Sequence, residues 1–501
     1  MGKGLNKRLN KARAIMVQGT MSNAGKSLLV TGLCRVFSRD GYRVAPFKSQ
    51  NMALNSWITA EGLEMGRAQV VQAEACGISP SVLMNPILLK PTTDMGSQVI
   101  VMGEVIGTMK AEEYFYHRQP LLGRVLSAYE TLAADNDIIV IEGAGSPAEI
   151  NLQDEFVNMG LAKKVRAPVL LAGDIDRGGV FAQLCGTLML LEEEERDLIK
   201  ALVINKFRGD LEILRPGLAM LEERSGKPVA GVLPWLSVDI EDEDSLSDRF
   251  TAKKRDTGKC HAALDLAVIR LPKISNFTDF FALEAADGVG LRYVADLRTL
   301  GNPDLLILPG TKNTIADLKW LRESGLDAAI LRLAESGTMI FGICGGYQML
   351  GERVTDGEGV ELEGGGSMAG LGLLPLRTVF LPEKQRKQVI GTVAAFGSGA
   401  VAVEGYEIHM GSTFTVDGTE ERSHLVQRGT VYGTYLHGFF DSAECRAGLF
   451  EYLCKKKGIP VLSTPVFDLR QYKEEQFTIL ENAVREHLDM PFIYRILEEG
   501  V

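Results

Sequence analysis

Short apolar runs alternate with longer amphipathic stretches along the first half of the chain. Such runs, rich in β-branched residues, are typical of buried parallel strands, and the stretches between them have the spacing of crossover helices. The pattern predicts a first helix at residues 27–38. The predicted strands are residues 14–18, 43–47, 138–141, 168–172 and 201–205. This order predicts an α/β domain in which loops at the carboxyl ends of the strands build a site.

The same alternation returns after a charged interruption. Residues 239–260 are rich in acidic and basic side chains, which is typical of a solvated linker. The second series of predicted strands is 264–270, 305–308, 339–343 and 430–434. We therefore predict two doubly wound parallel-sheet domains, at residues 1–238 and 261–445, joined by the linker. Residues 446–501 have a helical pattern and are predicted to pack on the second domain as a C-terminal extension.

Length, charge and cysteine usage narrow the class of protein. A chain of 501 residues exceeds the size at which a single core usually stops growing. The formal net charge of -11 argues against nucleic acid as a partner, because binding to its phosphates needs a basic surface. No apolar run reaches the ~20 residues that cross a bilayer, so we expect no membrane association. The seven dispersed cysteines are typical of reduced thiols, and we expect a cytoplasmic protein.

A glycine-bounded loop connects the first predicted strand to the first predicted helix. Its sequence is Gly19-Thr20-Met21-Ser22-Asn23-Ala24-Gly25-Lys26-Ser27. Backbone N–H groups and the helix dipole there would face an anion, Lys26 would reach the outer phosphates, and the Ser27 hydroxyl would bind Mg2+. The loop is one residue longer than the commonest phosphate-binding loop. It predicts an ATP site with Gly19, Thr20, Gly25, Lys26 and Ser27 as nucleotide-binding residues.

Polar residues at the ends of later strands are candidates for completing that site. Glu142 follows the third predicted strand and is a candidate Mg2+ ligand beside Ser27, although a surface carboxylate at a turn would give the same pattern. Asp174, with Asp176 nearby, follows the fourth strand and is either a further metal ligand or a member of an ion pair. Asn205 ends the fifth strand, and its side-chain amide is a candidate for reading a purine edge.

One cysteine in the second half lies between glycines, directly after a predicted strand. The sequence Gly342-Ile343-Cys344-Gly345-Gly346 has the spacing of a strained strand-to-helix turn, where neighbouring side chains would clash. A helix that begins after the cysteine would favour the thiolate. Cys344 is therefore the candidate nucleophile.

A cysteine nucleophile needs a base, and the chain contains six histidines. His437 is the preferred candidate because it follows a strand-like apolar run and precedes a glycine. His409 is the alternative. The tight turn at Pro309-Gly310 also follows a predicted strand, and the amides of Gly310 and Gly345 are candidates for an oxyanion hole.

These motifs resemble those of known families. The second half is similar to the class I glutamine amidotransferases in its cysteine turn and its Pro309-Gly310 turn. The first half resembles ATPases of the dethiobiotin synthetase type, which have the same longer loop. The two halves in this order resemble the cobyrinate amidases. Further segments that resemble this family are residues 46–52, 89–91, 142–152, 173–181 and 274–280.

The resemblance implies a reaction and its partners. Residues 1–238 would be a P-loop ATP-dependent synthetase domain, and residues 261–445 a glutamine amidotransferase domain. One branch of the family amidates the b, d, e and g carboxylates of the corrin cobyrinic acid a,c-diamide in cobalamin biosynthesis, and its sibling amidates the a and c carboxylates. Glutamine supplies the nitrogen, while ATP with Mg2+ activates each acid. Residues 142–152 favour the first branch. Cys344 would release ammonia from glutamine, His437 would transfer protons, and a closed route would carry ammonia between the domains.

The resemblance is incomplete at one position. Class I amidotransferases usually have a glutamate two residues after the histidine, where this chain has Phe439. We therefore predict a Cys-His dyad steadied by a backbone carbonyl, without an identified third member. Two other functions stay open: a non-catalytic P-loop switch with an inactive amidotransferase module, against which Cys344, His437 and Lys26 argue, and a simple glutaminase, which would leave the ATP loop without a purpose. The sequence does not predict the oligomeric state.

Overall fold

Strands and helices alternate over most of the chain in the computed structural model. It describes residues 12–92, 96–117, 119–151, 155–241, 262–362, 364–397, 399–462 and 468–501. The predicted linker therefore lies outside the described residues, except for its first three positions. The fold separates into two units, each with its own parallel sheet.

The strands are numbered in chain order. They are β1 (Arg13–Gly19), β2 (Val44–Phe47), β3 (Gln50–Met52), β4 (Ser56–Ile58), β5 (Glu64–Gly66), β6 (Ile87–Pro91), β7 (Gly96–Val101), β8 (Glu104–Lys110), β9 (Ile138–Glu142), β10 (Val169–Asp174), β11 (Ile199–Phe207), β12 (Val229–Pro234), β13 (Leu264–Ile269), β14 (Val289–Val294), β15 (Leu305–Leu308), β16 (Met339–Ile343), β17 (Arg353–Asp356), β18 (Gly366–Ala369), β19 (Leu376–Ala394), β20 (Ala400–Thr415), β21 (Val426–Arg428), β22 (Val431–Thr434) and β23 (Leu436–His437).

The α-helices are numbered in the same way. They are α1 (Lys26–Arg39), α2 (Arg67–Cys76), α3 (Ala111–His117), α4 (Gln119–Asp135), α5 (Met159–Val165), α6 (Val180–Leu190), α7 (Glu193–Leu198), α8 (Leu211–Ser225), α9 (Phe281–Ala285), α10 (Leu297–Leu300), α11 (Thr314–Glu323), α12 (Leu326–Glu335), α13 (Gly345–Leu350), α14 (Ala443–Lys457), α15 (Leu469–His487) and α16 (Met490–Glu499). None of these helices has the length and apolar character that a membrane crossing requires.

The first unit contains a six-stranded parallel sheet in the order β12-β11-β10-β1-β9-β2. Its members include the five strands predicted for the first half, each within two residues of its predicted bounds. β1 lies between β9 and β10, so loops that leave these strands diverge at their carboxyl ends and open a crevice. A second sheet, β3-β6-β7-β8, was not predicted. Its β7–β8 hairpin turns at Met102-Gly103, where φ values of 52° and 81° suit the twist of antiparallel strands.

The second unit repeats the parallel arrangement. Its sheet has the order β14-β13-β15-β16-β22-β21, in which only the edge strand β21 is antiparallel. The four strands predicted for the second half are present within one residue, and the predicted α/β fold class is confirmed. A further sheet, β18-β17-β19-β20-β23, is built on a long hairpin that the sequence pattern did not predict. Residues 53–64 also belong to this unit, although they come from the first half of the chain.

The C-terminal extension is divided between the units, contrary to the prediction that all of it packs on the second domain. Helix α14 belongs to the second unit, but residues Gln471–Val501 belong to the first. The reason is a close approach of α15 to α1: a Cβ on Gly32 would lie 2.6 Å from the Val484 side chain. The amphipathic pattern of α15 indicates a buried face but carries no information about which surface covers it.

The first residues of the predicted linker also pack on the first unit. The Tyr472 hydroxyl donates to the carboxylate of Asp239 at 2.9 Å, and Lys473 lies 2.6 Å from the carboxylate of Glu241. Arg67 forms a second ion pair with Glu241. Burial opposes ionisation of Glu241, yet the two cations outweigh it and hold its pKa well below the usual range. Residues 239–241 are therefore part of the folded unit.

The assignment of α15 to the first unit predicts an effect on α1. Leu480 is 1% exposed in the core that contains Leu29 and Leu33 of α1. Leu480→Ala should lower the free energy of unfolding of this unit by about 2–5 kcal/mol, because it leaves a cavity. Hydrogen exchange measured by mass spectrometry should therefore become faster in peptides from α1.

The matched control is Ile479→Ala, since Ile479 is adjacent and 48% exposed. It should change stability by no more than about 0.5 kcal/mol. Faster exchange in α14 with α1 unaffected would contradict the assignment, as would equal effects of the two substitutions.

Candidate functional site

Cys344 lies between β16 and α13 in a strained backbone conformation. Its φ is 51° and its ψ is −110°, a region that a residue with a side chain adopts only when its surroundings hold it there. A Cβ on Gly342 would lie 2.8 Å from the backbone of Tyr347, and one on Gly346 would lie 2.0 Å from the Leu308 carbonyl oxygen. The flanking glycines are thus required for this turn, as the spacing predicted.

His437 lies beside this cysteine. Because β23 pairs with β20, His437 is opposite Tyr406, and the two rings stack with centroids 5.2 Å apart. Among the described residues, Nε2 of His437 is buried without a hydrogen-bond partner. The Cys344 side chain is near enough to be one of the groups that raise the pKa of His437. His437 therefore has a ring nitrogen that can accept a thiol proton.

Asp279 binds the other ring nitrogen of His437. Its Oδ2 lies 2.7 Å from Nδ1, and the side chains of His437 and Asp279 are 1% and 3% exposed, respectively. The second oxygen of Asp279 accepts the N–H of Gly438 at 3.0 Å. Burial alone would lower the pKa of His437, but the charge and hydrogen bond of Asp279, helped by Cys344, raise it to about 10. The raised pKa thus favours the state in which His437 holds the proton released by Cys344, and His437 can later give that proton to a leaving nitrogen.

The structure provides the third member that the sequence did not identify. A carboxylate, and not the predicted backbone carbonyl, accepts from Nδ1 of His437. Phe439, at the position of the expected glutamate, is 1% exposed and packs on Phe341 with ring centroids 5.2 Å apart. Asp279 comes from the short 3-10 helix Phe277–Phe280, 158 residues before His437. Its only sequence signal was membership of the family-like segment 274–280.

The contacts of His409 favour His437 as the base. The thiol of Cys344 donates to the backbone carbonyl of Ile408 at 3.3 Å. The neighbouring His409 ring stacks on Tyr435 at a centroid distance of 3.7 Å, and its Nδ1 lies 3.0 Å from the carbonyl of Gly411. The backbone next to His409 therefore contacts the sulfur, while the ring has other partners.

The two predicted oxyanion glycines lie at the same site. A Cβ on Gly310 would lie 3.2 Å from Cε1 of His437, and one on Gly345 would lie 3.2 Å from the amide nitrogen of Thr311. The N–H of Gly346 donates to the Pro309 carbonyl at 3.1 Å and fixes this turn against α13. Gly345 begins α13, where N–H groups have no acceptor within the helix. Both glycines are thus held close to the catalytic pair.

The glycine-bounded loop of the first unit joins β1 to α1, as predicted. The Thr20 hydroxyl donates to the Gln183 side chain at 3.0 Å, and Gly19 packs on the stem of Lys26. Gly25 has a φ of 90°, which a residue with a side chain rarely adopts. The Lys26 ammonium donates to the carbonyls of Met21 and Gly145, both at 3.0 Å. The loop and the end of β9 therefore surround one cationic centre.

Glu142 accepts three hydrogen bonds at the end of β9. Its Oε1 accepts from the Ser27 hydroxyl at 2.8 Å and from the Lys48 ammonium at 2.9 Å, and its Oε2 accepts from Gln72 at 2.5 Å. The alternative of a surface carboxylate is wrong, because Glu142 is 1% exposed. Ser27 and Glu142 fit Mg2+, which is commonly bound through one or two protein oxygens together with phosphate and water. Sequence reasoning gave no role to Lys48.

The contacts of Asp174 favour an ion pair over a metal site. One carboxylate oxygen of Asp174 lies 2.8 Å from the Lys206 ammonium and 3.6 Å from Arg177. The side-chain amide of Asn205 donates to the Ala24 carbonyl at 2.9 Å and accepts from the backbone of Lys206 at 2.9 Å. Asn205 therefore holds the loop in place, and its contact with a purine stays a prediction.

Comparisons with known proteins identify both units. Residues 15–246 match the CobQ/CobB/MinD/ParA nucleotide binding domain, and residues 265–445 match the CobB/CobQ-like glutamine amidotransferase domain. A curated relative from Ruminiclostridium cellulolyticum, named cobyric acid synthase, is 56% identical over 98% of this chain and 98% of its own length. Relatives with the same name are 58% identical in Lachnoclostridium phytofermentans, over 98% of this chain and 100% of the relative, and 49% identical in Yersinia enterocolitica, over 97% and 98%. With two matching domains and this identity over nearly its full length, the chain belongs to the cobyric acid synthase family.

Proposed function

We propose that this protein amidates the b, d, e and g carboxylates of cobyrinic acid a,c-diamide, or of its adenosyl form, to give cobyric acid in cobalamin biosynthesis. As a family member it is an ATP-dependent carbon–nitrogen ligase with glutamine as amido donor. One observation carries the proposal. A Cys344–His437–Asp279 arrangement and a phosphate loop with Lys26 occur in one chain, and relatives of nearly equal length are named cobyric acid synthase.

The second unit would supply ammonia. In the proposed reaction the thiol proton of Cys344 resides on His437, whose raised pKa favours the imidazolium, and the sulfur attacks the side-chain amide carbon of glutamine. The amides of Gly310 and Gly345 would stabilise the resulting oxyanion. His437 then protonates the leaving nitrogen, and water hydrolyses the γ-glutamyl thioester. Asp279 is supported in an orienting role by its bond to Nδ1, because this bond leaves Nε2 as the proton-transferring atom.

The first unit would activate the carboxylate. Lys26 and the loop amides would bind the phosphates of ATP, and Ser27 with Glu142 would hold Mg2+, which supplies charge neutralisation during phosphoryl transfer. Lys48 is bound to the same carboxylate as Ser27 and would add positive charge there. Transfer of the γ-phosphoryl group to a corrin carboxylate gives an acyl phosphate. Attack by ammonia then forms the amide and releases inorganic phosphate.

The positions of the new amides test the proposed substrate. With ATP, Mg2+ and glutamine labelled with 15N in the side-chain amide, the protein should convert cobyrinic acid a,c-diamide to a product with four 15N amides. Mass spectrometry counts the labels, and NMR assigns them to positions b, d, e and g. In the Cys344→Ala variant, labelled glutamine should give no 15N product, whereas 15N-ammonium at high concentration should still give it.

Two results would contradict this proposal. A protein that labels cobyrinic acid at positions a and c, and leaves the a,c-diamide unchanged, would be the sibling enzyme. Consumption of glutamine without any labelled corrin would indicate a simple glutaminase.

The raised pKa of His437 makes the role of Asp279 testable by pH. In the unsubstituted protein the protonated imidazole should persist until the pH rises through about 10. Asp279→Asn removes the negative charge that counteracts the effect of burial on His437, so the pKa of His437 should fall. The part of the pH–rate profile that reflects titration of His437 should then move to lower pH. Glutamine-dependent kcat should fall about a hundredfold to ten-thousandfold because the tautomer is no longer fixed.

The control for charge loss alone is Asp265→Asn, since Asp265 pairs with Arg292 at 2.8 Å in the same unit. It should leave the profile unchanged, and Asp279→Asn should retain ammonia-dependent amidation. An unaltered glutamine-dependent pH profile in Asp279→Asn would refute the assigned role.

A further inference from the structure

A short stretch from the first half of the sequence folds as part of the second unit. Residues Ala53–Glu64 follow β3 and precede α2, both of which belong to the first unit. Within the second unit, Ile58 of this stretch packs with Tyr406 in a small apolar cluster. Glu64 forms an ion pair of 2.5 Å with Lys384, and the two side chains are 0% and 8% exposed. The stretch is therefore firmly attached to the β19–β20 hairpin.

The backbone of Ser56 makes two hydrogen bonds at the centre of this attachment. Its N–H donates to Oδ1 of Asn276 at 3.0 Å, and its carbonyl accepts from the Tyr406 hydroxyl at 2.8 Å. All three residues are no more than 2% exposed. In a buried site such bonds are strong and costly to break, because water cannot replace them.

Asn276 and Tyr406 each help to hold His437 in place. Tyr406 stacks its ring on the imidazole, with an angle of 22° between the planes. Asn276 has a φ of 51° and begins the turn in which its carbonyl accepts the N–H of Asp279 at 3.0 Å. Asp279 in turn binds Nδ1 of His437. Ser56 thus bonds both to the residue stacked on His437 and to the turn that carries its carboxylate partner.

We propose that Ala53–Glu64 is a positioning segment for the glutamine-hydrolysing site, and that Ser56 fixes His437 through Asn276 and Tyr406. Ser56 contacts no reacting atom in this scheme, and it acts through the placement of His437 relative to Cys344. A misplacement of about 1 Å at a catalytic group can cost about a hundredfold in rate. The inference rests on the proposed function, in which His437 transfers protons for Cys344.

The residues on either side of the positioning segment contact the candidate phosphate site. Lys48 precedes it and Gln72 follows it, and both bind the carboxylate of Glu142 beside the phosphate loop. One continuous stretch of chain therefore contains the residues that hold Glu142 and the residue that fixes His437. Ammonia release would then depend on a segment encoded within the ATP-binding half.

Two substitutions remove the bonds of Ser56 one at a time. Tyr406→Phe keeps the stacked ring and loses the hydroxyl, whereas Asn276→Gly keeps the left-handed backbone and loses the acceptor. Each should lower kcat for glutamine-dependent amidation about tenfold and leave the KM for glutamine unchanged. Amidation with ammonia should be unaffected. Steady-state kinetics with both nitrogen donors measures these quantities.

Two further variants separate positioning from general structure. Asn276→Asp retains an oxygen that can accept from Ser56 and tolerates positive φ, so it should restore most of the kcat that Asn276→Gly loses. Tyr432→Phe removes a different buried tyrosine hydroxyl of the same unit, one that accepts from Gln427 at 2.8 Å, and should behave like the unsubstituted protein.

The outcomes distinguish this inference from the proposed function. Unchanged kcat in both Tyr406→Phe and Asn276→Gly, or equal losses with glutamine and with ammonia, would overturn the positioning role. In those cases Cys344→Ala would still be inactive with glutamine. If Cys344→Ala instead retained glutamine-dependent amidation, the proposed function itself would fail.

Discussion

The hydrogen bond between His437 and Asp279 is the interaction on which the chemistry of the second unit depends. Burial disfavours the charged form of a histidine, so an isolated imidazole in this position would be neutral. The carboxylate at 2.7 Å reverses that preference and raises the pKa of His437 to about 10. It also fixes which nitrogen remains for the sulfur. The strained backbone of Cys344 would have little use without an acceptor whose proton affinity and orientation are set in this way.

The parts of the structure that depend on neighbouring residues were predictable from the sequence. The phosphate loop and the cysteine turn each follow from a strand, a few glycines and a helix within a short stretch. Asp279 was not predictable, because its contact with His437 spans 158 residues and a single aspartate in a short segment does not indicate its partner. The predicted packing of α15 on the second domain was wrong for a similar reason, because periodicity indicates that one face is buried but not which surface covers it. At the position where related amidotransferases have the glutamate, this chain has the buried Phe439, and the carboxylate that binds His437 comes instead from Asp279.

Glu142 has a role beside the phosphate loop like that of Asp279 beside His437, because each is a buried carboxylate that holds several neighbouring groups in place. It brings together the Ser27 hydroxyl, the Lys48 ammonium and the Gln72 amide around one buried carboxylate. Such a carboxylate is stable only because each oxygen has a donor. The segment between Lys48 and Gln72 carries Ser56, whose two bonds lie behind His437. One short stretch of sequence thus contributes residues both to the candidate phosphate site and to the surroundings of the candidate glutamine-hydrolysing site.

The transfer of oxygen from substrate to phosphate tests most directly whether ATP activates the carboxylate that receives ammonia. Cobyrinic acid a,c-diamide with 18O in its free carboxylates would be incubated with the protein, ATP, Mg2+ and glutamine, and the inorganic phosphate analysed by mass spectrometry. An acyl phosphate predicts that each amide formed releases one phosphate carrying one 18O atom, since ammonia breaks the bond between carbon and that oxygen. Amide formation with no 18O in the phosphate would contradict the proposed mechanism.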